Sequence, residues 1–210
     1  MKQPTPHGSD GLAIADTHRA VTVEETRLDL DGFRRVETIF YREDGSGLRA
    51  RRELVRAQEA VAVVIRDPAT DRMVLIRQYR HGATLAQGRG FCVELVAGLI
   101  DEGEDPAETA RRETMEESGL AVTRMEHLTT FMTTPGLADE VLHVFYAEAD
   151  AGDLTDRAGA EEESEETLPF TCTLDEALRA IDTGAVGNGI LMVALLMYAR
   201  RRDALLGNGS

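Results

Sequence analysis

The sequence predicts an α+β fold in which antiparallel strands come first and helices close the chain. Three features indicate it: runs of β-branched and aromatic residues between turn residues, a helix with start and stop signals between Asp105 and Gly119, and two apolar helical stretches after residue 173. The chain has 210 residues, of which 42% are apolar and 29% charged, so it can form one domain of ordinary size around a hydrophobic core.

The N-terminal quarter of the chain is poor in apolar positions. Residues 1–19 contain prolines and glycines but no apolar run of the kind that a secretion signal needs, and we predict a flexible tail. Residues 20–57 are predicted to form an antiparallel meander with a hairpin turn at Asp44-Gly45-Ser46-Gly47. Because this meander has few residues to bury, we expect it to pack on another surface, such as a second subunit.

Residues 58–205 are predicted to form the main domain. Its apolar strands are expected at Ala60–Arg66, Met73–Ile76, Phe91–Ile100, Thr129–Met132 and Val141–Ala147. A helix follows the third strand: Asp105 can cap it, Pro106 suits its first turn and Glu108 completes a capping box. Gly119 is placed to end this helix in the left-handed conformation.

The last part of the main domain combines an acidic loop with two helices. Residues 152–167 form the loop, one helix runs from Thr173 to about Asp182, and the other runs from Gly189 to about Leu205. The final helix is apolar over most of its surface and is predicted to lie in the core rather than in a membrane. Residues 206–210 are predicted to be a flexible tail.

Charge and cysteine content limit the classes of partner. The formal net charge of -15 argues against a nucleic-acid polymer, since phosphate backbones favour Lys and Arg. Cys92 and Cys172 are far apart and form no metal or disulfide motif, which favours a reduced, cytoplasmic setting. A small anionic substrate would need a metal ion or an arginine cluster to offset the negative field of the protein.

Three glutamates share one flank of the helix that begins after Asp105. Glu113 and Glu117 lie about 40° apart around the helix axis, and Glu116 lies roughly 60° to the other side of Glu113. Like charges at this spacing repel, and a hard divalent cation such as Mg²⁺ or Mn²⁺ would compensate them. A solvated acidic helix face would explain the glutamates but not the spacing of the residues around them.

That spacing carries a family resemblance. The positions Gly98, Glu104, Arg112, Glu113, Glu116, Glu117 and Gly119 match the Nudix box at every fixed position, with Thr114 as a departure where an aliphatic residue is usual. The chain resembles the Nudix hydrolases over about residues 20–205. The resemblance implies an α/β/α sandwich with an extra N-terminal antiparallel sheet.

The resemblance also implies roles for the residues of the box. Glu113 and Glu117 would bind the metal together with the carbonyl of Ala97, and Glu116 would contribute to the same cluster. Arg112 would pair with Glu104 and hold loop and helix together. The reaction would be metal-dependent cleavage of a diphosphate linkage.

Two further features resemble the ADP-ribose pyrophosphatase group. Pro135 stands sixteen residues after Gly119, at the offset typical of that group. Enzymes of this kind carry a catalytic glutamate and a further metal ligand on an acidic loop, and alignment on the glycine puts Glu163 at the general base and Glu165 at the ligand. In some relatives the base comes from the loop after the proline, so Glu140 is the alternative.

Substrate contacts and assembly are likewise implied. Arg52, Glu53 and Arg80 match positions that contact the nucleotide or its phosphates, although arginines on a strand are often surface ion pairs. The N-terminal strands of the family usually exchange across a homodimer, which agrees with the meander at residues 20–57.

The resemblance therefore predicts hydrolysis of ADP-ribose or related ADP-sugars to AMP and a sugar phosphate. GDP-mannose or another nucleoside diphosphate sugar is the alternative substrate, because those enzymes share the proline and the acidic loop. A non-catalytic module that binds ADP-ribose is a third hypothesis. It is disfavoured because the arginine and glutamates of the box are all present.

Overall fold

The computed structural model describes residues 14–159 and 166–207, and the chain divides into two compact units at residues 55 and 56. The N-terminal unit is a three-stranded antiparallel sheet in the order β1-β2-β3, formed by β1 (Val21–Asp31), β2 (Arg35–Glu43) and β3 (Arg49–Arg56). Gly47 has a φ of 69° in the turn between β2 and β3, so the predicted hairpin is confirmed. Every residue of β1 is exposed in the single chain.

The C-terminal unit is built on a mixed sheet. Its strands are β4 (Ala60–Asp67), β5 (Arg72–Tyr79), β6 (Phe91–Glu94), β7 (Val96–Leu99), β8 (Arg124–Met132), β9 (Val141–Glu148) and β10 (Thr167–Cys172). The main order is β10-β5-β4-β9-β8, in which β4 and β9 are parallel and the other pairs are antiparallel. Strand β6 pairs with β5, whereas β7 pairs with β4, so the chain changes its partner strand at Leu95.

Helices cover both faces of this sheet. They are α1 (His81–Gln87), α2 (Pro106–Ser118), α3 (Leu174–Asp182) and α4 (Gly189–Leu205). One core packs Val63 and Ile76 against Ala110 of α2, and the other packs Leu75 against Leu195 and other apolar residues of α3 and α4. The alternation of side chains along β4 and β5 separates these two cores. The predicted α/β/α sandwich with an extra N-terminal sheet is therefore confirmed.

The structure corrects several local predictions. Helix α1 was not predicted, because none of its residues is buried and Arg80 at its N-cap makes no side-chain capping bond. The expected single strand Phe91–Ile100 is two strands, and β8 begins at Arg124 rather than at Thr129. Asp105 caps α2 by accepting a hydrogen bond from the Ala107 N–H at 2.9 Å. Glu108 pairs with Arg111 at 4.0 Å and does not complete the capping box.

Within the described residues, no helix is long and apolar enough to cross a membrane. Helix α4 is instead a core helix, as predicted, and Leu191, Leu195 and Tyr198 are buried on it. Of the two predicted tails, residues 1–13 and 208–210 lie outside the described residues.

Candidate active site

Helix α2 packs on the sheet through a face of small residues. Thr109, Ala110, Thr114 and Ser118 are buried on this face. The Thr114 hydroxyl donates to the Ala110 carbonyl at 2.7 Å, and the Ser118 hydroxyl donates to the Thr114 carbonyl at 2.6 Å. Because these hydroxyls bond within the helix, they add no unsatisfied polar group to the core. The departure of Thr114 from the usual pattern is thereby accommodated.

Strand β7 lies directly against the glutamates of α2. A Cβ atom placed on Gly98 would be 2.0 Å from the Glu113 carboxyl carbon, so only glycine allows this approach. The Ala97 N–H donates to Glu117 Oε2 at 3.0 Å, and Glu117 is only 4% exposed. Strand β7 is thus in contact with both glutamates that are predicted to bind the metal.

The Ala97 carbonyl also belongs to this contact. Ala97 pairs with Ala62 in the antiparallel ladder between β7 and β4. In such a ladder the N–H and C=O of one residue point to the same side of the strand. Since the Ala97 N–H points to Glu117, its carbonyl faces the same helix.

Arg112 links the other carboxylates of the box. Its guanidinium donates to Glu104 at 3.2 Å, to Glu113 at 2.8 Å and to Glu116 at 3.0 Å. The hydrogen bonds from Arg112 lower the pKa of Glu104 to about 2, and those to Glu104 raise the pKa of Arg112. The positive charge of the half-buried Arg112 therefore offsets the repulsion between the glutamates. The predicted pairing of Arg112 with Glu104 is present.

The donor set fits a hard divalent cation. Glu113, Glu116, Glu117 and the Ala97 carbonyl supply only oxygen ligands, the type that Mg²⁺ and Mn²⁺ prefer. Among the described residues, no three His, Cys, Asp or Glu side chains are gathered around one point in a ligand geometry. The reason lies in their present partners, because Glu113 and Glu116 face Arg112 while Glu117 faces the Ala97 N–H. Side-chain rotations would be needed to turn these carboxylates towards a shared ion.

The C-terminal end of α2 is capped by Gly159, within the acidic loop, and by Thr167, at the end of that loop. The last four carbonyls of a helix lack partners within it. Here the Glu116 carbonyl accepts from the Gly159 N–H at 3.0 Å, and the Glu117 carbonyl accepts from the Thr167 hydroxyl at 2.9 Å. Glu163 and Glu165 lie between these two anchors, outside the described residues.

Arg80 has a partner that the sequence did not suggest. Its guanidinium donates to both carboxylate oxygens of Glu94, with distances of 2.8 to 3.2 Å, and Glu94 is 7% exposed. Glu94 is the one charged residue in the apolar run Phe91–Ile100. A lone charge in such a strand indicates that it is paired, although its partner depends on the strand register.

The remaining predicted residues have other partners. Glu140 lies in the loop between β8 and β9, where the Thr133 hydroxyl donates to its Oε2 at 2.6 Å. Arg52 and Glu53 lie on β3 in the N-terminal unit. There the Arg52 guanidinium donates to the Arg51 carbonyl at 2.8 Å, and Glu53 forms an ion pair with Arg51.

Comparison with known proteins agrees with this geometry. The NUDIX domain model matches residues 56–191. An ADP-ribose pyrophosphatase of Escherichia coli is 31% identical over 155 residues, which cover 74% of each chain. A GDP-mannose pyrophosphatase of Klebsiella pneumoniae is 33% identical over 172 residues, covering 80% of this chain and 83% of that protein.

A solved structure shares the fold. The crystal structure of an ADP compounds hydrolase has a TM-score of 0.72 at 22% identity, and the match covers 93% of this chain and 99% of that one. The family model spans more than half of the chain, and relatives above 30% identity cover about three quarters of it. The chain therefore belongs to the NUDIX domain family and is a Nudix hydrolase.

Proposed function

We propose that this chain hydrolyses the diphosphate bond of ADP-ribose or a related ADP-sugar, giving AMP and a sugar phosphate, with Mg²⁺ as its cofactor and Mn²⁺ as the substitute. The observation that carries the proposal is the contact of β7 with α2, which joins Ala97 to Glu117 and Gly98 to Glu113. The substrate class is supported by the ADP-ribose pyrophosphatase that is 31% identical.

The box residues would hold the metal and the charge around it. Glu113, Glu117 and the Ala97 carbonyl are the ligands, Glu116 belongs to the same cluster, and Glu165 adds a ligand from the acidic loop. When bound, the cation polarises a phosphoryl oxygen and neutralises charge on the departing group. Arg112 keeps the carboxylates in place through its bonds to Glu104, Glu113 and Glu116.

A glutamate is proposed to accept the proton of the attacking water. Glu163 is preferred, because Gly159 and Thr167, the nearest described residues with a bond to α2 on either side of it in the sequence, contact the backbone carbonyls of Glu116 and Glu117. Glu140 remains the alternative base, and its Oε2 is engaged by Thr133.

Substrate contacts and assembly complete the proposal. Arg52, Glu53 and Arg80 are assigned to the nucleotide and its phosphates. Strand β1 exposes Val21, Val23, Leu28 and Leu30 to between 44% and 56%, and a homodimer would cover this apolar surface. The substrate is a small nucleotide sugar rather than a nucleic acid or a membrane, and the proposed location is the cytoplasm.

GDP-mannose is the second candidate substrate. It is supported by the 33% identity to a GDP-mannose pyrophosphatase, which is as high as the identity to the ADP-ribose enzyme.

The test is a product assay with matched variants. The purified protein with Mg²⁺ is incubated separately with ADP-ribose, ADP-glucose and GDP-mannose, and the products are followed by chromatography. Glu117→Gln should abolish turnover, whereas Glu108→Gln, an exposed glutamate on the same helix, should not. Preferential release of GMP from GDP-mannose would identify GDP-mannose, rather than an ADP-sugar, as the substrate. Tight binding of ADP-ribose without turnover by the wild type would identify a binding module and overturn the proposal.

A further inference from the structure

A cavity of about 510 Å³ opens at the edge of the C-terminal unit. Helix α1 forms one wall, strand β6 forms the floor, and residues 185–189, which lead into α4, form the opposite wall. Its volume lies within the range of roughly 300–1,000 Å³ that small-molecule sites occupy. All of these residues are described, and none of them belongs to the family box.

The cavity is close to the proposed diphosphate site. Glu94 lines it, and Ala97 follows Glu94 by three residues on the same continuous segment. Three residues of extended chain span at most about 10 Å. A group joined directly to a diphosphate at Ala97 therefore has this cavity within reach.

The lining offers hydrogen bonds suited to hydroxyl groups. A carboxylate has about four acceptor sites, and three hydrogen bonds from Arg80 hold the Glu94 carboxylate in a fixed orientation at the cavity wall. Two amides lie on the other walls: Gln87 Oε1 accepts from Arg89 at 3.2 Å, and Asn188 Oδ1 accepts from the Leu191 N–H at 2.9 Å. With both amide oxygens engaged, their NH₂ groups are oriented as donors.

The lining is less suited to a nucleobase. Bases are usually held between flat aromatic or apolar side chains. Among the described residues that line the cavity, Phe91 is the single aromatic one, and it is 50% exposed. A polyhydroxylated ring matches the carboxylate, amide and guanidinium groups better.

We propose that this cavity binds the sugar-phosphate end of the nucleotide sugar, so that α1 and residues 185–189 determine which sugar is accepted. The assignment rests on the proposed function for the position of the diphosphate. It gives a role to Glu94, Gln87 and Asn188, which the family box leaves without one.

Two substitutions test it by filling the cavity. Ala86→Phe adds a ring from the exposed wall of α1, and Gly187→Leu adds a side chain from the opposite wall, where a Cβ meets nothing closer than Gln87 Oε1 at 3.9 Å. Leu85→Phe is the matched control, because Leu85 is 88% exposed on the same helix and does not line the cavity. Thermal unfolding of each variant verifies that it folds.

The readout is binding of ribose 5-phosphate and of AMP by NMR titration with Mg²⁺ present. Neither ligand contains a diphosphate bond, so no turnover is required. Both cavity variants should weaken ribose 5-phosphate about tenfold or more, since at least one charge-assisted hydrogen bond is lost. Both cavity variants should bind AMP with the affinity of the wild type, and the Leu85→Phe control should bind both ligands with that affinity.

The outcomes separate the cavity from the reaction. Wild-type protein that does not bind ribose 5-phosphate, or cavity variants that bind it unchanged, would overturn the assignment even if ADP-ribose is hydrolysed normally. Loss of AMP binding alone would also overturn it and would place the nucleoside in the cavity. Conversely, the expected binding pattern without any hydrolysis by the wild type would support the cavity and refute the proposed function.

Discussion

Gly98→Ala is the sharpest perturbation that the active-site geometry allows. The added Cβ would lie 2.0 Å from the Glu113 carboxyl carbon and 2.0 Å from its Oε1, whereas ordinary contact begins at 3.4 Å. The Glu113 carboxylate would therefore have to move by about 1.4 Å. The three nearest atoms all belong to the Glu113 side chain, so the displacement falls on the proposed metal ligand itself.

The expected cost is much larger for catalysis than for folding. A misplacement of about 1 Å in a reacting group can reduce the rate on the order of 100-fold, and we expect that loss in kcat/KM for ADP-ribose. The displaced group is the flexible end of a side chain, so overpacking should cost only about 1 kcal/mol. In a protein of this size that corresponds to a fall in Tm of about 2–4 °C.

The assay compares Gly98→Ala with Gly45→Ala. A Cβ on Gly45, in the β2–β3 turn, meets nothing within 4 Å, so this variant controls for the added methyl group. Steady-state hydrolysis, Tm and Mn²⁺ affinity by electron paramagnetic resonance are measured for both. If Gly98→Ala retains kcat/KM to within about threefold of the wild type, the position of the Glu113 carboxylate against β7 does not matter for catalysis and the reasoning is refuted.

Three further predictions follow from the same contacts. Arg112→Lys replaces a planar fork by a point charge, so kcat/KM should fall about tenfold or more, while Arg111→Lys at an exposed position should leave it unchanged. Because Arg112 lowers the pKa of Glu104 to about 2, their pair stabilises the protein fully above about pH 4.5 and is lost as the pH falls towards 2. The Tm difference between the wild type and Glu104→Gln should thus shrink below about pH 4.5, and a difference that stays constant down to about pH 3 would contradict this. Thr167→Val removes the hydroxyl that caps the Glu117 carbonyl, so urea unfolding should show a loss of about 1 kcal/mol, and an unchanged unfolding free energy would exclude the cap.

The sequence predicted the catalytic helix well because its determinants are local. As expected, Asp105 caps the start of the helix and Gly119, with a φ of 75°, terminates it. The pairing of Arg112 with Glu104 joins residues eight positions apart. The capping box was the exception, since the Asp105 side chain accepts a hydrogen bond from the Ala107 N–H and Glu108 forms an ion pair with Arg111.

Non-local features were the ones that could not be predicted. The apolar run Phe91–Ile100 has the same pattern whether it forms one strand or two, and the change at Leu95 depends on which strands lie beside it. The Arg80–Glu94 pair depends on the register that places Glu94 opposite Ile76 on β5. Helix α1 has no buried residue, so no amphipathic pattern could reveal it.

The end of α2 shows how the fold prepares the site before any ligand binds. Glu117 is fixed by its side chain to the Ala97 N–H and by its carbonyl to the Thr167 hydroxyl, and the Glu116 carbonyl is fixed to the Gly159 N–H. These bonds come from three different segments, which are β7, β10 and the acidic loop at Gly159. Two adjacent glutamates are therefore held from several sides, and little backbone ordering is left for the binding of a cation and a diphosphate. The bonds that satisfy the helix terminus thus fix the backbone from which both carboxylates project.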